Sequence, residues 1–70
     1  MSAPIRIVLN EAPREFPAPL TVSELLDELS LAGKRLAVER NGEIVPRSRF
    51  GADAIGDGDR VEVVIAVGGG

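Results

Sequence analysis

Arg60-Val61-Glu62-Val63-Val64-Ile65-Ala66-Val67-Gly68-Gly69-Gly70 closes the sequence, and its first eight residues are the most apolar, most β-branched run in it. Val61, Val63, Ile65 and Val67 fall on one face of an extended strand; Glu62, Val64 and Ala66 fall on the other. Apolar residues on both faces are expected of a strand in the middle of a sheet. Three glycines follow. Lacking Cβ atoms, they adopt any φ/ψ that a narrow passage demands. Fully extended, they reach roughly 10 Å. By themselves the glycines carry two readings, a frayed end or a tether for the carboxylate of Gly70.

Upstream, Ile5-Arg6-Ile7-Val8-Leu9 alternates with period two and predicts a half-buried strand with Ile5, Ile7 and Leu9 inward. Asn10-Glu11-Ala12-Pro13 reads as a turn, and Arg14-Glu15-Phe16 as a returning strand that Pro17 and Pro19 confine to a sheet edge. Thr21-Val22-Ser23-Glu24 matches a capping box, in which each side chain satisfies a backbone N–H of the other residue. Val22, Leu25, Leu26 and Leu29 then form an apolar helical stripe. A helix is expected over residues 22–31, stopped by Gly33.

Leu36-Ala37-Val38-Glu39-Arg40 and Glu43-Ile44-Val45 flank Asn41-Gly42, the strongest short hairpin signal. Residues 47–54 show no periodicity; Phe50 and Ile55 are expected to plug the core from a loop or short helical turn. Gly56-Asp57-Gly58-Asp59 reads as a sharp turn. A calcium loop is the rival reading of this stretch, but the later liganding carboxylate is missing. The order is ββαββ, a turn region, then β. It implies one α+β domain over residues 1–70: a mixed sheet of about five strands, one main helix on one face, and a flexible tail at 68–70. The first and last strands, the most apolar, are expected side by side in the middle.

Composition limits the chemistry. The 70 residues include no Cys and no His, which removes disulfides, thiolate and imidazole metal ligands, and the usual general base near neutral pH. A net charge of −3 argues against nucleic acid. No apolar run is long enough to span a membrane, and no signal-peptide pattern is evident, so the expectation is a soluble, cytoplasmic protein.

Residues 21–26, 36–47 and 57–63, in that order and spacing, with Gly69-Gly70 at the end, resemble the sulfur carrier proteins of thiamine biosynthesis, of ubiquitin-like β-grasp fold. The resemblance covers essentially the whole chain. It implies a protein co-substrate rather than an enzyme. An adenylating partner enzyme, using ATP and magnesium, would activate the Gly70 carboxylate. A sulfur donor such as a cysteine desulfurase would convert it to a thiocarboxylate, and thiazole synthase would accept the sulfur. The carrier itself would bind no cofactor. Gly68 and Gly69 would thread the partners' active sites. The alternatives within the fold are the small subunit of molybdopterin synthase, a ubiquitin-like modifier, and a binding module whose glycines are inert.

Two groups are candidates for partner docking. Val8, Val64 and Ala66 share the helix-free face if the first and last strands are neighbours; they are either scattered surface residues or a contiguous apolar patch. Arg47, with Arg49, is either a docking cation or solvated surface.

Overall fold

The computed structural model describes residues 3–66. β1 (Ile5–Leu9) and β2 (Ala12–Phe16) form the first hairpin; β3 (Leu20–Thr21) leads into α1 (Val22–Glu28). β4 (Leu36–Arg40) and β5 (Glu43–Val45) form the second hairpin. A 3₁₀ turn (Arg47–Arg49), β6 (Ala54–Ile55) and β7 (Arg60–Ile65) complete the order. The main sheet runs β2-β1-β7-β4-β5, and β3 pairs with β6 in a separate two-stranded ribbon. β1 and β7 are parallel neighbours at the centre, and the other pairs are antiparallel. The mixed sheet and the central pairing of first and last strands follow the sequence expectation.

One sheet face carries the core. Ile5, Ile7, Leu9, Phe16, Val38, Val45, Val61 and Val63 meet Val22, Leu25 and Leu26 of the helix, and Ile55 is fully buried among them. Among the described residues no polar or charged side chain is buried. Phe50 is half-buried against this core from just beyond the 3₁₀ turn.

Three features depart from the expectation. The helix ends at Glu28, not near Leu31. Ser30 takes a left-handed conformation (φ 60°), so that its N–H reaches the Asp27 carbonyl and the Leu31 N–H reaches that of Leu26. This is a Schellman stop with Ser in the place glycine usually takes, and Leu31 packs back on the core. The first hairpin is tighter than expected. Asn10 and Glu11 both have positive φ, Leu9 pairs with Ala12, and β2 starts two residues early with Pro13 on the outer edge. Finally, β3 and β6 add a ribbon absent from the expected order, because two-residue strands have no period to detect.

The helix start is held as its sequence predicts and also by the chain before β6. Thr21 and Glu24 form the reciprocal capping box. The N–H groups of Val22 and Ser23 donate to the carbonyls of Asp53 and Phe50. All three leading N–H groups of the helix are thus occupied within the fold.

Candidate functional site

The site suggested by the sequence lies where β7 runs toward the glycines. Val67, Gly68, Gly69 and Gly70 are outside the described residues; the path up to Ala66 is not.

β7 is central only at its start. β1 pairs with it at Arg60 and Val61 and then ends. Beyond that point the Asn10 side chain takes over. Its Oδ1 accepts from the Val63 N–H at 2.8 Å, and its Nδ2 donates to the Val63 carbonyl at 3.2 Å. One carboxamide thereby stands in for one residue of a neighbouring strand. On the other side β4 stays paired through Leu36 opposite Ile65, and the Ala66 N–H donates to the Arg35 carbonyl at 3.0 Å. The chain approaching the tail is anchored from both flanks.

The entrance to β7 is a polar junction built on Asp59. Its carboxylate accepts from Arg40 Nε at 2.9 Å, Asn41 Nδ2 at 3.1 Å and the Gly56 N–H at 2.9 Å. Partial burial acts to raise the Asp59 carboxyl pKa. The Gly56 N–H, the Asn41 amide and the Arg40 guanidinium together outweigh it and hold the group below its ordinary value. Asn41 Oδ1 also accepts from the Arg60 N–H, and the Asn41 N–H donates to the Arg60 carbonyl. Asp57 Oδ1 accepts from the Arg6 N–H, while the Gly58 N–H donates to the Arg6 carbonyl. Residues 56–59 are therefore a turn whose two carboxylates are committed to protein donors. Among the described residues no group of three His, Cys, Asp or Glu side chains is placed to hold a metal ion.

The candidate docking residues separate in space. Val64 and Ala66 are exposed near the end of the described chain, and Val64 lies opposite Ala37 of β4. Val8 is half-buried opposite Arg60, at the other end of β7. The parallel register thus puts it four residues, roughly 13 Å, from Val64. Arg47 lies on the helix side, lining a shallow cavity with Ser23, Asp27, Lys34 and Phe50. Arg49, its neighbour in the 3₁₀ turn, is ion-paired with Asp53 at 2.8 Å.

The helix-free face also holds residues that sequence reasoning did not single out. Ile44 is 71% exposed and Val64 60% exposed. Ile44 lies opposite Glu39, which in turn lies opposite Glu62. The alternation that buries Val38 and Val45 was enough to turn Ala37, Glu39 and Ile44 outward; only the register showed which of them meet.

Comparison with known proteins agrees with this architecture. The sequence profile of the ThiS family matches residues 5–70. A thiazole synthase of Paramagnetospirillum magneticum is 46% identical over 66 residues, a match covering 94% of this chain and 20% of that protein. The chain likewise spans 20% of a second thiazole synthase, from Magnetococcus marinus. The sulfur carrier protein ThiS of Escherichia coli K12 is 30% identical over 66 residues, covering 94% of this chain and 100% of that one. The crystal structure of the thiamine biosynthesis protein (ThiS) of Geobacter metallireducens superposes with a TM-score of 0.82 at 36% identity, covering 94% of this chain and 100% of that one.

Proposed function

The chain belongs to the ThiS family, the sulfur carriers of thiamine biosynthesis, and from that membership we propose that it carries sulfur as a thiocarboxylate on Gly70. The observation that carries the proposal is the family match, which runs from β1 through the last glycine.

The chemistry follows from what a carboxylate lacks. It is a poor electrophile until joined to phosphate as a mixed anhydride. A carboxylate oxygen of Gly70 attacks the α-phosphorus of ATP, bound with magnesium by a partner enzyme, and pyrophosphate leaves. The terminal sulfur of a donor persulfide, of the kind a cysteine desulfurase generates, then attacks the acyl carbon and AMP leaves. A thiol opens the resulting acyl disulfide, giving the thiocarboxylate and a disulfide. Thiazole synthase takes the sulfur. This chain contributes the carboxylate, the glycine tether and the docking surface; among its residues there is no Cys or His to do more. The anchoring of Val63 and Ala66 supports the tether role, because it fixes the chain just before the glycines. Relatives with thiazole and thiamine names favour this pathway over a pterin acceptor.

Mass spectrometry of the intact protein provides the test. Incubation with ATP, magnesium, the cognate activating enzyme and a persulfide donor is expected to add the mass difference of one oxygen-to-sulfur exchange, localised to Gly70. An unchanged mass under conditions that modify an established carrier rules the reading out. Deleting Gly70 is expected to abolish the exchange without changing thermal stability.

A further inference from the structure

The helix-free face changes character across β7. On the β1–β2 side, Arg6 and Glu15 stand opposite each other in register and form an ion pair at 2.7 Å. On the β4–β5 side, Glu62, Glu39 and Ile44 form one row across three strands. Directly opposed side chains on adjacent strands have Cβ atoms about 5 Å apart, and like charges there destabilise the sheet. Arg60 shares the face two residues before Glu62, but among the described residues no cation lies within ion-pair distance of Glu39 or Glu62. The neighbouring row is Ala37 opposite Val64. The fold thus sets two carboxylates that form no ion pair, with Arg60 beside them, next to Ile44 and Val64, the two most exposed large hydrophobic side chains among the described residues.

We propose that this face, formed by Glu39, Glu62, Ile44, Ala37 and Val64, docks the thiazole-building enzyme on a surface where an arginine or lysine stands among apolar side chains. The inference rests on the sulfur-carrier reading above. Charge complementarity identifies the partner's chemistry: one cation placed between the two carboxylates attracts both and relieves their mutual repulsion. Position narrows the partner to a protein that acts at the tail. The patch adjoins Ala66, so a protein seated on it receives the chain leading to Gly70. In two relatives named thiazole synthase, a region similar to this chain shares one polypeptide with the remainder of the enzyme.

The test pairs binding with stability. Affinity of the intact chain for its cognate thiazole synthase is measured by calorimetry at about 0.05 M and about 0.5 M salt, which changes charge screening across the contact. The wild type is expected to bind more weakly at high salt. E39Q/E62Q is expected to bind about tenfold more weakly at low salt, with a flattened salt dependence. Its Tm is expected to rise by about 3 °C, because the opposed like charges are gone. Weaker binding by a more stable protein cannot come from unfolding. I44D, with its native fold checked by circular dichroism, is expected to lose binding through the apolar part of the contact.

Wild-type affinity and salt dependence in E39Q/E62Q would overturn the proposal. So would the same dependences appearing only with the activating enzyme, or only in self-association measured by sedimentation. The two readings fail separately. A thiocarboxylate that forms on E39Q/E62Q and transfers at the wild-type rate removes the docking surface and leaves the carrier function. Absence of thiocarboxylate on the wild type removes the carrier function.

Discussion

Two hairpin turns grip β7 from opposite sides, and each does so with an asparagine. Asn10 and Asn41 both open two-residue turns with positive φ, and both use their carboxamides on the β7 backbone. They act three residues apart along the strand. Asn41 holds Arg60 and shares Asp59 with Arg40, fixing where β7 begins. Asn10 holds both polar groups of Val63, fixing the strand just before it leads to the tail. The second turn residues differ as well: Gly42 takes φ 85° freely, whereas Glu11 is held at φ 66°. The same residue in the same kind of turn thus holds the first residue of β7 in one case and its fourth in the other.

The largest expected break falls at the entrance. Asp59→Ala removes the acceptor for three donors, one of them charged, and is expected to cost about 2–3 kcal/mol in urea unfolding. At the exit, Asn10→Ala leaves the Val63 N–H and carbonyl without their partner and is expected to cost about 1.5 kcal/mol. Amide exchange is expected to accelerate at Val63. If the asymmetry holds, folded Asn10→Ala protein transfers sulfur more slowly, whereas folded Asn41→Ala protein transfers at the wild-type rate. Equal transfer rates would dissolve the functional half of the comparison.

Acid probes the entrance more gently. The Asp59 pKa is lowered in the folded state, so its contribution to stability is present above the unfolded value, about 3.9. That contribution is expected to disappear as pH falls through the folded value. Asp59→Asn should flatten this part of the unfolding profile while leaving the rest of the acid transition intact. The smallest effect is expected at the second turn position. Glu11→Gly removes a side chain from a left-handed backbone and is expected to stabilise by about 0.5 kcal/mol, partly offset by the greater freedom of glycine in the unfolded chain. The corresponding change at Gly42, to Ala, has the opposite sign. A Cβ there meets no atom within 4 Å, so the destabilisation isolates backbone strain at φ 85°.

Much of this architecture is legible in the sequence because it depends on local chemistry. The alternation of Ile5, Ile7 and Leu9, the capping box at Thr21, the Asn41-Gly42 turn and the apolar run of β7 each declare themselves within a few residues. What was not legible depends on register or on unusual occupants of ordinary positions. Ser30 ends the helix in a conformation that its residue type does not advertise. The Asn10 contact spans 53 residues and exists only because β1 stops where it does. The helix-free faces could be read, but not their alignment. Val8 belongs beside Arg60, and the exposed patch near the tail forms with Ala37 and Ile44 instead.

The parallel pairing of β1 with β7 also bears on how the protein is made. A ribosome delivers β1 first, yet the strand that joins it to the β4–β5 hairpin comes after every other strand. Until β7 emerges, two separate hairpins and a short helix have no common sheet, and Ile7 and Val38 have no Val61 or Val63 between them. Closing so distant a contact is slow relative to local pairing. The domain therefore acquires its sheet only once β7 has been made, and the segment that leads to the glycines completes it.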